Sequence, residues 1–317
     1  MIRKKRGNSV VLPAGLPVLL LAAATGIAAS EAAADLSLSP SSATASTPSP
    51  FFGFWGDDNR TDAFTDLSWD PAPSADTLAR MPAGGRRRYL FPSWRYFCRE
   101  QVVYAKCTLF PDYQRRWDAA VPFLSRLLRE EKIAGFLTGG ERVTHNTTCS
   151  TWSILADTVR ASFPVSSGAV IYANEGIATF RDKLCDVPAS YDWISMDYFR
   201  AGSGKGYIAG LRGLYETVLY PRLAPHQRVV VLPQTGQVFD VGVVCNDTCT
   251  AEIELQDARD AVRWSREDPR VAMLAPYAWS RGPPEKGLAE LAAEGGEASA
   301  DLLAFWENYG RQVVSER

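Results

Sequence analysis

Residues 133–142 read IAGFLTGGER, residues 170–176 VIYANEG and residues 193–199 WISMDYF. Each is a short β-branched or aromatic run that ends on a polar or acidic residue, and an amphipathic helical stretch follows each one. The unit recurs outward in both directions. Strand candidates fall at 51–56, 63–69, 88–94, 133–137, 169–173, 193–196, 229–232 and 271–275, the first two weaker than the rest. Strand and helix alternating in this way predict an α/β fold, a single (β/α)8 TIM barrel, whose chemistry belongs at the C-terminal ends of its strands.

The helices between the strands are read from apolar spacing. Residues 112–130 put Trp117, Val121, Leu124, Leu127 and Leu128 on one face, and 207–219 do the same with Ile208, Leu211, Leu214, Tyr215 and Val218. Further helices are expected over 151–162, 251–266 and 299–313, the last closing the barrel against the first strand. Without its first fifty or so residues the chain matches the ~250 residues typical of one barrel, so one domain over 51–317 is expected.

Ahead of that domain, a basic stretch at Arg3–Arg6 precedes an apolar run from about Val10 to Ala29 and small residues near Ala28–Ala34. This is the plan of a secretory signal peptide over 1–34, with an uncleaved signal anchor as the alternative. Residues 35–50 are rich in Ser, Thr, Pro and Ala and are expected to form a disordered stem. A secreted or extracellular location is expected, with membrane contact only if the N-terminal segment is retained as an anchor. Sequons at Asn59, Asn146 and Asn246 fit that compartment as glycosylation sites.

The six cysteines are read as disulfides, because no Cys-X-X-Cys pair occurs and the chain has only two histidines. Cys98 with Cys107 and Cys245 with Cys249 would each close a short loop, leaving Cys149 with Cys185; the sequence alone permits other pairings. The short pairs would staple the long loops after the third and seventh strands. Net charge is −2 with the two signs interspersed, which speaks against a nucleic-acid partner. Arg86-Arg87-Arg88 reads as a solvated loop ahead of a strand.

The segments after the strands are rich in carboxylates and aromatics. Glu141, Glu175 and Asp197 end three adjacent strands, ~4.8 Å apart, and are the candidate catalytic set. Glycoside hydrolysis needs one carboxyl that donates a proton to the leaving oxygen and a second, ionised, that attacks the sugar or activates water. Asp57, Asn174, Tyr198, Gln234, Tyr277 and Trp279 are candidate substrate-binding residues, with Tyr277 and Trp279 offering ring faces to a sugar.

At these residues the chain resembles the glycoside-hydrolase superfamily of TIM barrels. The acid after strand four, Asn-Glu after strand five, Met-Asp-Tyr after strand six and Tyr-Ala-Trp after strand eight carry the likeness, over roughly Phe51 to the C-terminus. It implies a carbohydrate substrate or ligand and no cofactor or metal. Two departures stand out. In the large retaining clan of such barrels a Glu ends strand seven as nucleophile, whereas here the run is VVVLPQTG with Gln234. Chitinase-like barrels carry a DxxDxDxE run on strand four, which is absent, and a strand-six motif that SMDYF only partly echoes. The resemblance is therefore to the superfamily and not to one family within it.

Other chemistries lack their residues. A phosphoinositide-type phosphodiesterase needs two histidines at the site, and His226 precedes strand seven, leaving His145 alone. The same scarcity disfavours catalytic zinc. There is no G-x-S-x-G elbow, and the glycine-rich segments lack the P-loop lysine. The rival reading is a catalytically inactive carbohydrate-binding barrel, which would keep the aromatics and hydrogen-bonding groups but not a proton donor beside a base. A cell-wall or adhesion structural protein draws support only from the stem and the sequons.

Overall fold

The computed structural model describes residues 50–54, 59–68, 74–85, 87–102, 104–198, 206–235, 250–279 and 287–317. The expected signal segment and all of the stem but Pro50 lie outside the described residues, as do Asp57, Cys245, Asn246 and Cys249. Eight parallel strands succeed one another in chain order: β1 Phe51–Phe52, β2 Leu67–Ser68, β3 Arg88–Pro92, β4 Ile133–Gly140, β5 Val170–Gly176, β6 Trp193–Asp197, β7 Arg228–Val231 and β8 Val271–Leu274. Each pairs with its sequence neighbour from β2 to β8, and β8 returns to pair with β1. The remaining seam is stitched by Asp66, whose backbone N–H donates to the Phe52 carbonyl at 3.0 Å while its carboxylate accepts from the Phe52 N–H at 2.8 Å. This is the expected barrel.

The helices are α1 Ala75–Arg80, α2 Trp94–Phe97, α3 Tyr113–Arg129, α4 Cys149–Ser162, α5 Ile177–Arg181, α6 Tyr207–Leu214, α7 Ala251–Glu267, α8 Leu288–Ala293 and α9 Glu297–Ser315. The long ones match the apolar spacing closely. The short helices α1, α2, α5 and α8 escape a reading of that spacing, because one or two turns present too few residues to establish a period. Hydroxyls cap α1, α4 and α7: Ser74, Thr148 and Thr250 accept from the N–H groups of Thr77, Thr151 and Ile253. The last helix closes the barrel as expected, with the Trp306 ring stacked on Phe52 at 5.5 Å and Tyr309 edge-on at 5.2 Å. Among the described residues no helix is long and apolar enough to cross a membrane.

Alternation along the strands produces two separate cores. Leu67, Leu90, Leu137, Tyr172, Trp193, Val230 and Met273 fill the barrel interior. Ile171, Ala173, Ile194, Met196, Val229 and Val231 face outward and pack beneath the helices with Trp117, Trp152, Trp264 and Trp306. Whether a strand-end residue belongs to the mouth or to the helical layer is therefore settled by its parity.

Two disulfides join Cys98 to Cys107 and Cys149 to Cys185, as the short-loop reading proposed. Asn146 is exposed at φ +64°, and Asn59 opens a 3-10 turn. The basic triplet departs from its expected role as a solvated loop. The Arg87 side chain is only 10 % exposed, paired with Asp62 at 2.6 Å and donating to Thr61 and Tyr89, and Arg88 is half-buried in β3; Arg86 lies outside the described residues.

Candidate functional site

On β5, Tyr172 and Asn174 share the inward parity, and on β6 so do Trp193, Ser195 and Asp197. Their side chains form one hydrogen-bonded chain. The Ser195 hydroxyl donates to Asn174 Oδ1 at 2.5 Å, so the Tyr172 hydroxyl, 2.6 Å from Ser195 Oγ, donates in turn to Ser195. Asn174 then has its amide NH2 turned to Asp197, with Nδ2–Oδ2 at 2.7 Å. Every donor points toward the Asp197 carboxylate. This fixes the amide of Asn174 and holds Asp197 at the barrel mouth, where it is 9 % exposed.

Glu141 approaches the same place from β4. That strand ends in Gly139 at φ +133°, a conformation open to glycine but not to residues with a Cβ, and the chain then turns through Glu141 at φ +48°. Its N–H donates to the Asn174 carbonyl at 2.7 Å, which keeps the turn pinned to β5. Its carboxylate is 27 % exposed and lies 3.6 Å from Nε2 of His145. One oxygen also sits where a side chain on Gly176 would begin, 2.9 Å from an ideal Cβ there. Gly176 is the residue in register with Asp197. Glu141 and Asp197 thus flank Gly176, and the missing side chain leaves room for the Glu141 carboxylate.

Glu175 does not join them. It has the outward parity of Ile171 and Ala173, and no part of it is exposed. Its oxygens accept from the Val143 N–H at 3.1 and 3.3 Å and from the Thr179 hydroxyl at 3.3 Å. Burial pushes its pKa up to about 8, against the opposing effect of hydrogen bonds from the backbone of Val143, Thr144 and Arg142 and from Thr179. At neutral pH it therefore holds a proton while facing the helical layer. The expectation that Glu175 joins Glu141 and Asp197 at the mouth is corrected, because successive residues of a strand point to opposite faces.

The last two strands contribute Gln234 and Tyr277, both of the inward parity and both buried. They form a parallel bridge beyond β7 and β8, with the Thr235 N–H donating to Tyr277 O and the Tyr277 N–H to Pro233 O, each at 2.7 Å. Trp279 is a second correction. It is 2 % exposed and packs against Phe54 at 5.2 Å and Phe64 at 5.9 Å, with Arg60 over its ring, so it belongs to the helical-layer core and offers no face to a sugar. Tyr198 leaves the mouth as well: its ring stacks on Tyr207 of α6 at 6.4 Å, and its carbonyl accepts from the Tyr207 hydroxyl.

Two residues that sequence reasoning misses help to build the rim. The loop held by Cys98–Cys107 crosses β4 so that Tyr104 bridges Gly140 and packs on the inner core. Arg142 locks that loop down. It is 1 % exposed, donates to the Ala105 carbonyl at 2.6 Å and lies 5.0 Å from the Trp94 ring centroid. Burial lowers its pKa to about 10, opposed by Glu175 and Glu100, so it remains a cation at neutral pH. The Cys107 N–H adds a 2.7 Å bond to Thr147. The adjacent glycines at 139 and 140 are the available signal that another segment lies against this strand end. Among the described residues no cluster of His, Cys, Asp and Glu could hold a metal ion.

No protein-family model matches the chain, and no curated protein matches it. Solved structures similar to it include a β-glucuronidase of an uncultured Clostridium sp., at 12 % identity over 82 % of this chain and 51 % of that one, with a TM-score of 0.52. A GH2 β-galacturonidase from Eisenbergiella tayi bound to galacturonate is similar at 9 % identity over 78 % of this chain and 45 % of that one, also with a TM-score of 0.52. The chain spans about half the length of these two proteins. The likeness is one of fold, the eight-stranded parallel barrel.

Proposed function

We propose that the chain is a secreted glycoside hydrolase that cleaves a glycan or polysaccharide with two carboxylates. Glu141 is the proton donor to the leaving oxygen, and Asp197, anchored by Asn174, is the ionised partner that attacks the sugar or activates water. The observation that carries this reading is the approach of both residues to Gly176 from neighbouring strands. Tyr104, half-buried at the rim, would then offer a ring face to the sugar, above the buried pair Gln234 and Tyr277. Secretion is supported by the basic and apolar N-terminal sequence, the two disulfides and the sequons.

One observation favours a second reading, a barrel that binds carbohydrate without cleaving it. Gln234 lies three residues past the end of β7, in the segment where the retaining clan has its nucleophile, and an amide there cannot perform that step. The two readings separate in one experiment. The purified chain is screened for cleavage and for binding against a glycan panel, together with Glu141→Gln and Asp197→Asn. A hydrolase loses about 10²-fold or more in rate with either variant while binding persists, in line with the size of general acid–base effects. A chain that binds glycans but cleaves none is the binding barrel. If both variants cleave as fast as the parent, neither carboxylate has the assigned role.

A further inference from the structure

The opposite end of the barrel holds a second concentration of charge. A cavity of about 650 Å³ opens where β2 and β3 begin and α9 ends, with Asp66, Arg88, Glu131, Arg311, Val314 and Arg317 in its wall. Glu131 and Arg311 are exposed at its rim. Asp66 is already committed on both oxygens: one accepts from the Phe52 N–H, and the other lies 2.9 Å from Nε of Arg317. The guanidinium of Arg88 makes no hydrogen bond or ion pair within the described residues. It lies 5.2 Å from the centroid of the Phe51 ring, and Arg317 lies 3.6 Å from the same centroid.

Arg228, the first residue of β7, adds a third cation nearby and gives its hydrogens to the Pro269 and Val271 carbonyls. Both Arg228 and Arg317 are held below the ordinary arginine pKa, by burial first. The field of Arg317 adds to this at Arg228, and the field of Arg88 adds to it at Arg317, where Asp66 opposes. Arg317 thus feels Arg88 and acts on Arg228, with two buried carboxylates opposing: Asp66, which lies in the field of Arg88 and Arg317, and Asp268, which acts on Arg228. Like charges gathered on a hollow raise the free energy of the empty site and lower that of a bound anion. The planar fork of a guanidinium also matches paired oxygens in a way a point charge does not.

We propose that this cavity is a binding site for a small multiply charged oxyanion, gripped by Arg88 with Arg311 and Arg317 at the barrel end opposite the carbohydrate site. The triplet that includes Arg88 then has a role beyond solvation, and the ligand does not touch Glu141 or Asp197.

Inorganic phosphate and citrate test the proposal, titrated into the full chain by calorimetry and in thermal melts against sodium chloride at matched ionic strength. Saturable binding of either anion, with a rise in melting midpoint beyond that in chloride, is expected. Phosphate binding without citrate binding would assign a compact ligand, and citrate without phosphate an extended polycarboxylate. Arg88→Gln should weaken binding roughly tenfold or more, and Arg88→Lys by less, since it keeps the charge but not the fork. Arg311 is exposed, so Arg311→Gln leaves folding intact and decides the matter if Arg88→Gln fails to fold. No saturable binding of either anion, or binding unchanged in every folded variant, overturns the site.

Discussion

Asp197 and Glu175 end adjacent strands, yet they belong to different regions of the protein. Asp197 faces the barrel mouth and is held by the Asn174 amide at 2.7 Å. Glu175 faces the helical layer, fully buried among backbone N–H groups, and keeps a proton at neutral pH. The same division separates Tyr277, on the inner core, from Trp279, two residues on but packed under Phe54 and Phe64. Ending a strand is therefore not enough to place a residue in the site. The side chain must also have the inward parity, or reach the mouth from a turn as Glu141 does.

The strongest way to break this comparison is Trp279→Ala. As a core residue it should cost roughly 3–5 kcal/mol of stability in denaturant melts, while Tyr104→Ala at the rim costs far less and weakens glycan binding instead. A Trp279→Ala protein that melts like the parent but no longer binds glycans would return Trp279 to the mouth.

Glu175 gives a test of opposite sign from that of an ordinary ion-paired carboxylate. Its folded pKa is raised, so its contribution to stability is fully present below about 4.5 and is lost as pH rises through about 8. The parent should lose on the order of a few kcal/mol across that window from this group. Glu175→Gln, which cannot ionise, should flatten the profile and melt higher than the parent near pH 8, with catalytic rate largely kept. A collapse of rate with unchanged pH-stability would instead make Glu175 a mouth residue.

Removing the staple of the rim should have a smaller effect. Cys98 and Cys107 are separated by nine residues, so Cys98→Ser with Cys107→Ser should cost roughly 2–3 kcal/mol in chain entropy. It should also raise the Kd for glycan by loosening Tyr104. Equal glycan affinity with and without the bridge would detach the loop from the site.

The finest probe is Gly176→Ala. The added methyl would lie 2.6 Å from Thr144 Oγ1 and 2.9 Å from the Glu141 carboxylate, so one of them must move. A stability loss of about 1–3 kcal/mol is expected, with the loss of activity concentrated in kcat rather than KM. Rate and stability both unchanged would mean that Glu141 is not held against Gly176.

The sequence by itself determined the barrel. The recurrence of β-branched runs and amphipathic stretches is a local, repeated signal, and helices such as α3 and α7 carry enough turns for their apolar faces to be read directly. It also placed Asp197, Asn174, Gln234 and Tyr277 at or near the C-terminal ends of their strands. Tertiary structure decided which way those ends point. The bulge in the β4–β5 pairing between Leu137 and Gly140 changes parity within one strand, and no local pattern reports it. Nor could local pattern place Arg142, whose partners Ala105 and Trp94 are remote in sequence, or bring Arg88, Arg228 and Arg317 to one end of the barrel. Periodicity is written into neighbouring residues, whereas desolvation and charge proximity exist only once distant segments share a volume.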